Sequence, residues 1–558
     1  MSRPVTVRLR SDRGQWERIG VVSIIQMPFL TCPAGPAATA VPVNRSLFRA
    51  IALTVATTLT TPPIVVAPAT AWANELPSLG EAGADDLSPA NERKLGESIM
   101  REVVADPLYL PDPDTIEYLN KLGYQLVSAS NARAMDFNFF CVKDPMINAF
   151  ALPGGFIGVH SGLILIAQTE SELAAVIGHE IGHVEQRHIA RMLAKQREST
   201  ALAIGALLLA LLAARSNSSS AGDLTQAAIL GGQAAAIQQQ LNFSREAERE
   251  ADRVGFQTLQ GAGFDVTAMA TFFGRMQQST RIYESAAPAY LRTHPLTTER
   301  IADIQTRVRE VRAKQRPDSL DFQLVRARLR VLQDDSTQGL RDARGIFAGQ
   351  LANKATPSDV AAYYGLALAN LKLGDDALAL ENIVAARKKA GTGSAMIEKL
   401  YAQARFASAR TPQDRDEAVQ FARDTTTRFP ISRLIALNYV EMLQFSSRHD
   451  EAVAFLRDQL AISRSEPKYY ELLARSYSQL NKRTLQYQAT GELYALLGAM
   501  PAAIEQFQMA RKAADADFYV LSEVDARLRQ LTQQLKEQRA ELLRSGKRVP
   551  PPDEEKLR

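Results

Sequence analysis

The chain has 558 residues, 46% hydrophobic and 23% charged, so it is neither a multispanning membrane protein nor a wholly disordered chain. At roughly 100 to 200 residues per domain, this length predicts two or three folded units. The 65 basic and 61 acidic residues give a formal net charge of only +4, which provides no basis for a nucleic-acid partner. The two cysteines, Cys32 and Cys141, do not indicate a redox compartment, because removal of the leader described next leaves Cys141 alone.

Residues 45–73 have the pattern of a secretory signal peptide. Two arginines precede an apolar run at residues 50–59, and Ala71-Trp72-Ala73 offers the small residues that signal peptidase accepts. We therefore expect export, with cleavage after Ala73. An uncleaved anchor is the alternative, but prolines interrupt the segment well below the roughly 20 apolar residues that span a bilayer.

The next part of the chain combines helices with short strands. Residues 87–126 have helical periodicity, which prolines interrupt near the middle. Residues 137–142 have strand character, and residues 149–159 are typical of two strands joined by a turn at Gly154-Gly155. These patterns predict a small sheet beside helices.

Two longer helices are predicted at residues 170–195 and 244–261. Between them, residues 201–214 are almost wholly apolar. At about 14 residues this segment is too short to span a bilayer. It is either buried in the fold or in peripheral contact with a membrane, and both alternatives stay open.

From residue 317 onward, helix follows helix, with Ala, Leu and Tyr at spaced positions. Residues 363–377 have the small and aromatic residues of a tetratricopeptide helix pair, and related pairs are predicted around residues 438–456, 469–482 and 494–510. Because the spacing is irregular, we predict a degenerate tetratricopeptide-like solenoid whose concave surface binds proteins. A generic helical bundle is the alternative, since alanine-rich helices mimic such repeats.

The sequence His179-Glu180-Ile181-Gly182-His183 lies in the first of the two longer helices. Positions four apart on a helix are offset by about 40°, so the two histidines project from one face and can share a metal ion. Zinc takes nitrogen, sulfur or carboxylate ligands and leaves one position for a water molecule, whose pKa it lowers to roughly 7. Glu180 can then accept a proton during attack on a peptide carbonyl and deliver it to the leaving amine.

A further histidine of the same helix does not complete this ligand set. His188 lies about 180° around a continuous helix from His179, so we assign it a structural or surface role. The position of the third metzincin histidine, ten residues after the first ligand, is Ile189. A carboxylate from another helix is therefore required.

The helix at residues 244–261 supplies four candidate carboxylates. Glu248 and Asp252 share one face of this helix, whereas Glu246 and Glu250 share another, so helical geometry alone leaves the choice open. An HExxH sequence on an apolar helix, followed about 65 residues later by an acidic helix, is a strong metal-site pattern. A salt-bridged helix pair without a metal is the alternative.

Three motifs occur in order: residues 148–155, the HExxH sequence, and a Glu-x-x-Ala-Asp sequence beginning at Glu248. In this order and spacing, the chain resembles the gluzincin zinc peptidases, the family that includes the CAAX prenyl endopeptidase. The resemblance implies an α+β, mainly α, peptidase domain with a small sheet. It also implies one zinc ion (Zn2+) per subunit, held by His179, His183 and Glu248, with Asp252 holding a ligand histidine by a hydrogen bond.

The resemblance also implies a substrate strand beside the cleft. Its residues are Asn148, Ala149, Phe150, Ala151 and Leu152. Such a strand binds the backbone of a substrate by strand addition. A sheet edge with no ligand is the alternative.

Thr293-His294-Pro295 and Arg300 match a family segment near the active site. A histidine before a rigid proline can reach the open position of a zinc ion and displace water from it. We therefore form the hypothesis that His294 is a reversible fourth ligand that keeps the protease latent. A surface histidine is the alternative.

Within this family the chain is most similar to an exported bacterial branch that joins the peptidase to C-terminal tetratricopeptide repeats. We predict an N-terminal extension with a signal peptide at residues 1–73 and a zinc metallopeptidase domain at residues 74–316. An all-α repeat domain is predicted at residues 317–540, followed by a polar tail at residues 541–558.

The resemblance implies a periplasmic zinc endopeptidase with a chaperone-like role in the assembly and quality control of outer-membrane β-barrel proteins. Its expected substrates are misfolded or stalled outer-membrane proteins, and its repeats are expected to bind the β-barrel assembly machinery. Peripheral membrane contact stays open. The alternative is a repeat-based chaperone or adaptor whose metal site is largely idle.

Overall fold

A computed structural model of the chain describes residues 7–10, 16–19, 88–194, 245–282, 289–312, 314–391, 393–515 and 517–544. The predicted signal peptide with its predicted cleavage after Ala73, and the apolar segment at residues 201–214, lie outside the described residues. The chain divides into two units, Met1–Asn74 and Glu75–Arg558. In the first unit, β1 (Val7–Arg10) pairs antiparallel with β2 (Trp16–Ile19).

The second unit begins with a mixed region of helices and strands. Its elements are α1 (Pro89–Ala105), α2 (Pro113–Val127), β3 (Asn138–Val142), β4 (Ala149–Leu152), β5 (Phe156–His160), α3 (Ser161–Ile166), α4 (Glu170–Glu185), α5 (His188–Ala194), α6 (Arg245–Gly261), α7 (Thr267–Ile282), α8 (Ala289–Thr293) and α9 (Thr298–Glu310). Ser88 and Asp112 cap α1 and α2, each of which begins with a proline. The predicted interruption of residues 87–126 is thus confirmed.

The sheet of this region has the order β3-β5-β4, with β3 parallel and β4 antiparallel to β5. The two strands predicted within residues 149–159 are confirmed. Gly154 and Gly155 make the turn between them with φ of 75° and 88°, a left-handed conformation that glycine adopts without steric cost. Among the described residues β4 pairs only with β5, so no strand pairs with its other edge, and α4 packs beside it.

The helix predicted at residues 170–195 is in fact two helices. α4 ends at Glu185, Arg187 has a left-handed φ of 50°, and α5 begins at His188. The Arg187 Nε atom donates to the buried Glu92 carboxylate of α1 at 3.1 Å. This ion pair connects α1 to the junction of α4 and α5, so the direction of α5 is set by a contact about 95 residues away in sequence.

The elements described from residue 320 onward are all helices. They are α10 (Leu320–Leu332), α11 (Thr337–Ala352), α12 (Asp359–Leu373), α13 (Asp376–Ala390), α14 (Ala395–Ser408), α15 (Pro412–Arg428), α16 (Arg433–Phe445), α17 (His449–Ile462), α18 (Pro467–Gln479), α19 (Arg483–Leu496), α20 (Met500–Lys512) and α21 (Phe518–Arg544). Successive helices pack on each other, as in a tetratricopeptide-like solenoid. Within the described ranges, no helix is long and apolar enough to cross a membrane.

Three of the four predicted repeat pairs each overlap two consecutive helices. Residues 363–377 span most of α12 and the start of α13, and residues 438–456 span parts of α16 and α17. Gly374 ends α12 with a φ of 83°, which is the usual role of glycine at a helix C-terminus. Residues 469–482 cover α18 and its following turn, and residues 494–510 cover the end of α19 and most of α20.

The peptidase region and the first repeats share one hydrophobic core. Leu119 of α2, Phe322 of α10 and Tyr364 of α12 belong to the same buried cluster. This core continues across the boundary predicted between residues 316 and 317, so the first repeats are packed as part of the peptidase. The exact boundary stays a prediction.

A buried ionic network lies at this junction. Arg328 of α10 donates to both carboxylate oxygens of Asp112 at 2.8 and 3.0 Å and lies 3.2 Å from Asp114. Lys399 of α14 pairs with Asp114. Farther along α2, the Glu117 carboxylate accepts hydrogen bonds from the repeats, at the start of α16. The repeats are therefore attached to α2 by charges that are removed from water.

Candidate metal centre and active site

Helices α4 and α6 approach each other through glycines. A Cβ atom on Gly255 of α6 would lie 2.9 Å from the Cα atom of His179, and one on Gly182 would lie 2.9 Å from the Ala251 carbonyl oxygen. The backbones are thus in contact with no side chain between them. This close approach places the histidines of α4 directly opposite the carboxylates of α6.

Potential metal donors converge between these helices. Donor atoms of four buried residues lie within 4.8 Å of one another: His179, His183, Glu248 and His294. The Nε2 atoms of His179 and His183 are 3.0 Å apart. Carboxylate oxygens of Glu248 lie 3.5 Å from His179 Nε2 and 3.4 Å from His183 Nε2. The structure therefore brings together the three residues predicted to hold the metal.

The spacing of these atoms fits a tetrahedral zinc site. Zinc ligand atoms lie about 2.0 to 2.2 Å from the ion, so in a tetrahedron they are about 3.3 to 3.5 Å from one another. The two histidine nitrogens are 3.0 Å apart, Glu248 Oε2 lies 3.5 Å from His179 Nε2, and Glu248 Oε1 lies 3.4 Å from His183 Nε2, all close to this spacing. Two imidazole nitrogens and a carboxylate oxygen are also the donors of many catalytic zinc sites.

The electrostatics of the site favour a bound cation. Burial would raise the pKa of Glu248, but His294, His179 and His183 hold it well below its usual range, so this carboxylate is anionic. Burial lowers the pKa of His183 well below its usual value, so its ring is neutral. Burial also lowers the pKa of His179, yet hydrogen bonds with Asp252 and Glu248 raise it to about 9. A metal ion bound here therefore displaces a proton.

Asp252 and Arg300 contact the donor residues His179 and Glu248. Asp252 Oδ1 lies 3.0 Å from His179 Nδ1, in the position that the family resemblance implies for it. Arg300 binds the Asp252 carboxylate with two nitrogens at 2.6 and 2.8 Å, and its third lies 2.7 Å from Glu248 Oε2. Arg300 thus holds both carboxylates in place, a role that the sequence alone did not reveal.

Glu180 is fully buried beside the donor set. Neither of its carboxylate oxygens has a hydrogen-bond partner of normal geometry among the described residues. Burial raises the pKa of Glu180, and electrostatic interactions with His294 and His179 oppose this rise. A buried carboxylate whose pKa lies above its usual value is suited to accept and return a proton.

His294, the fourth of these buried residues, lies between Glu180 and the residues His179 and Glu248. Its Nδ1 atom is 3.4 Å from His179 Nε2 and 3.0 Å from Glu248 Oε1, and its Nε2 atom is 3.6 Å from Glu180 Oε1. The ring stacks on Tyr290, with centroids 4.7 Å apart. With 2% of its surface exposed, His294 is not the surface histidine considered as the alternative.

His188 occupies a position that the continuous-helix argument did not predict. Its Nδ1 atom lies 2.9 Å from His183 Nδ1, and its Nε2 atom lies 3.0 Å from Glu250 Oε2. Of the two roles expected for His188, structural or surface, the surface role is wrong, because the break before α5 turns this residue back against the metal site. Glu250, on the second acidic face of α6, was the signal in the sequence that could have indicated a buried partner.

The proposed substrate strand runs beside the same site. Ala149, Phe150, Ala151 and Leu152 form β4, and Asn148 directly precedes it. Ala151 is close enough for its backbone to lower the pKa of Glu180, although burial dominates that pKa. The strand predicted from the sequence therefore lies next to the candidate base, with one edge unpaired among the described residues.

Comparison with known proteins places the chain in a family. Residues 113–308 match Peptidase family M48. The chain is 31% identical over 481 residues to the β-barrel assembly-enhancing protease of Escherichia coli K12, which covers 84% of this chain and 93% of that protein. It is 34% identical over 258 residues to the protein of that name from Yersinia pestis, covering 46% of this chain and 51% of the relative.

A more distant relative comes from a eukaryote. The mitochondrial metalloendopeptidase OMA1 of Schizosaccharomyces pombe is 29% identical over 236 residues, covering 41% of this chain and 65% of that protein. The residues that match this family, 113–308, include His179, His183, Glu248 and His294. The chain belongs to peptidase family M48 and is a metalloendopeptidase.

Proposed function

We propose that this metalloendopeptidase uses zinc and acts in the periplasm on misfolded or stalled outer-membrane β-barrel proteins. The observation that carries the proposal is the buried set of His179, His183 and Glu248, with Glu180 beside it and an open strand edge next to both. Similarity over 84% of the chain to an enzyme named for β-barrel assembly supports the choice of substrate. Export through the signal peptide at residues 45–73 would deliver the chain to these substrates.

The chemistry divides among the residues of the site. His179, His183 and Glu248 would hold the zinc ion, which when bound supplies Lewis acidity to water and to the peptide carbonyl. Glu180 accepts the proton of the attacking water and returns it to the leaving amine. Asp252 keeps the His179 ring oriented through its Nδ1 atom.

The open edge of β4 supports binding of an extended substrate. A peptide that pairs with residues 149–152 adds a strand to the sheet, and its backbone then passes beside Glu180. A barrel protein that has not yet inserted exposes unpaired strands of this kind. A folded barrel has no free edge to offer, so strand addition would select unassembled substrates.

We assign the repeats to partner binding. The helices from α10 onward form a helical array of the kind that binds proteins, and we propose the β-barrel assembly machinery as its partner. A chaperone-like contribution would also come from this region. The complete donor set, with the buried Glu180 carboxylate beside it, argues against an adaptor with an idle metal site.

The substrate proposal can be tested with one barrel protein in two states. The purified full chain is incubated with a urea-unfolded outer-membrane barrel diluted into buffer, and with the same barrel folded in detergent. We expect cleavage of the unfolded form only, measured by gel densitometry, and none by the Glu180→Gln variant. Equal cleavage of both forms would overturn the proposed selection of unassembled barrels.

The latency hypothesis predicts that His294→Ala raises the rate of casein cleavage. In the structure the His294 ring fills the space between the donor set and Glu180, so the competent state requires it to move away. If that state is populated at about 1 to 10%, removing the ring raises the rate by about 10- to 100-fold. His449→Ala at the start of α17 is the matched control. An unchanged rate for His294→Ala would show that His294 does not restrain the enzyme.

A further inference from the structure

A chain of polar contacts runs outward from the far side of His183. The Nε2 atom of His183 faces the metal donors, and its Nδ1 atom lies 2.9 Å from His188 Nδ1. His188 Nε2 lies 3.0 Å from Glu250 Oε2, and Arg191 Nη2 donates to the same oxygen at 2.8 Å. Each ring nitrogen of both histidines thus faces a polar atom.

If His183 binds a metal ion, the donors and acceptors around the His183 and His188 rings are compatible with one arrangement of their protons. A ligand nitrogen needs its lone pair, so His183 Nε2 carries no proton and His183 Nδ1 carries it instead. The facing His188 Nδ1 atom must then accept, which places the proton of His188 on Nε2. That proton points at Glu250, a carboxylate that accepts but does not donate. In this arrangement each donor faces an acceptor, from His183 to His188 and from His188 to Glu250.

The fold holds His188 in this place at some conformational cost. Arg187 adopts a left-handed φ of 50°, which non-glycine residues rarely adopt, and its ion pair with Glu92 connects the bend to α1. One turn later, Arg191 of α5 reaches Glu250 of α6. Ion pairs of Arg187 and Arg191 therefore hold the chain on both sides of His188. The bend turns the His188 ring toward His183.

We infer that His188 is a positioning residue that fixes the tautomer and orientation of His183, with Glu250 fixing the tautomer of His188 in turn. The inference rests on the proposed role of His183 as a metal ligand. Residues behind a ligand histidine typically contribute about 10- to 100-fold to metal affinity. The effect belongs to one atom, the Nδ1 acceptor of His188, and not to the volume of its ring.

Two amide substitutions separate this role from packing. In His188→Asn the side-chain oxygen takes the place of Nδ1 and can still accept from His183. In His188→Gln the amide takes the place of Nε2 and reaches Glu250, but it leaves His183 without an acceptor. Both replace the ring with a smaller polar group, so a role in packing alone would weaken both variants together.

The test measures zinc affinity by competition with a chromophoric chelator, using purified full-length protein. We expect His188→Gln to bind zinc about 10- to 100-fold more weakly than wild type, and His188→Asn to stay within a few-fold of it. Thermal unfolding of the metal-free proteins confirms that both variants fold. Equal losses in the two variants, or no loss in His188→Gln, would overturn the inference.

A second pair of variants lies outside the buried site. Glu250→Leu removes the acceptor that fixes His188 and should weaken zinc binding, whereas Glu246→Leu, one turn earlier and 78% exposed in its side chain, should not. A Glu250→Leu affinity equal to wild type also counts against the inference. Wild-type protein that binds no zinc would instead overturn the proposed function, so the two failures are distinguishable.

Discussion

Glu180→Gln lowers kcat for casein cleavage by about 10²- to 10⁴-fold, the contribution expected of a general base. Glutamine keeps the shape of the side chain but cannot take up the proton of the attacking water. Since Glu180 lies beside the donor atoms and is not one of them, we expect bound metal and thermal stability to stay at wild-type values. Steady-state kinetics with a metal determination on the same samples provides the measurement.

Glu185→Gln is the matched control for this substitution. Glu185 ends the same helix, α4, but its carboxylate faces Asn131 at the surface. We expect its kcat to equal that of wild type. A Glu180→Gln enzyme that retained more than about a tenth of wild-type kcat would remove Glu180 from the role of general base.

Arg328→Met lowers the free energy of unfolding by about 3 to 5 kcal/mol, the usual cost of removing one partner from a buried ion pair. The substitution leaves Asp112 buried between α2 and α10 without its guanidinium partner, and it removes a contact of Asp114. Methionine fills much of the volume that the arginine side chain occupied. The decrease in the free energy of unfolding therefore comes mainly from the lost charge and not from lost packing. Chemical denaturation at neutral pH measures it.

The pH dependence of this loss identifies its origin. Burial would raise the pKa of Asp112, but the Arg328 guanidinium holds it well below its usual range in the folded protein. In wild type this carboxylate therefore contributes stability above pH of about 4 that is lost as the pH falls further. In Arg328→Met, burial instead favours the protonated form of Asp112. The free energy of unfolding of the variant should therefore approach that of wild type as the pH falls from 7 toward 4.

Arg344→Met is the control for the arginine substitution. Arg344 of α11 pairs with Asp375 at 2.8 Å, but both side chains are exposed to solvent. Pairs of this kind contribute about 0 to 1 kcal/mol. Equal effects of the two substitutions would show that the junction between α2 and the repeats is not held by the buried charges.

The sequence was informative about the site wherever its chemistry follows a local pattern. His179 and His183 share a helix face because of their spacing, and the strands around Gly154-Gly155 follow from alternation and a glycine turn. Helical geometry did not choose between the two acidic faces of α6. The family resemblance selected Glu248, and the structure places it against both histidines.

The errors arose where a contact between distant segments decides the local conformation. Periodicity in residues 170–195 indicates one helix, because it carries no information about the Glu92 carboxylate that binds Arg187. The angular argument about His188 therefore started from the wrong geometry. Arg300 reaches Asp252 across 48 residues, a distance over which no local pattern operates.

The repeat region shows the same limit. Its helices were predictable from their composition, but nothing in the repeats alone indicates that Phe322 and Tyr364 share a core with α2. The ionic partners Arg328 and Asp112 are 216 residues apart. The boundary at residue 316 therefore stays a prediction, and the hydrophobic core continues across it.

The most direct test of the account is the zinc content of the purified full chain, measured by inductively coupled plasma mass spectrometry for wild type, His183→Ala and His449→Ala. The account predicts about one zinc per chain in wild type and in His449→Ala, and a loss of most of it in His183→Ala. Wild-type protein without zinc, or a His183→Ala variant that retains it, would contradict the assignment of the metal centre.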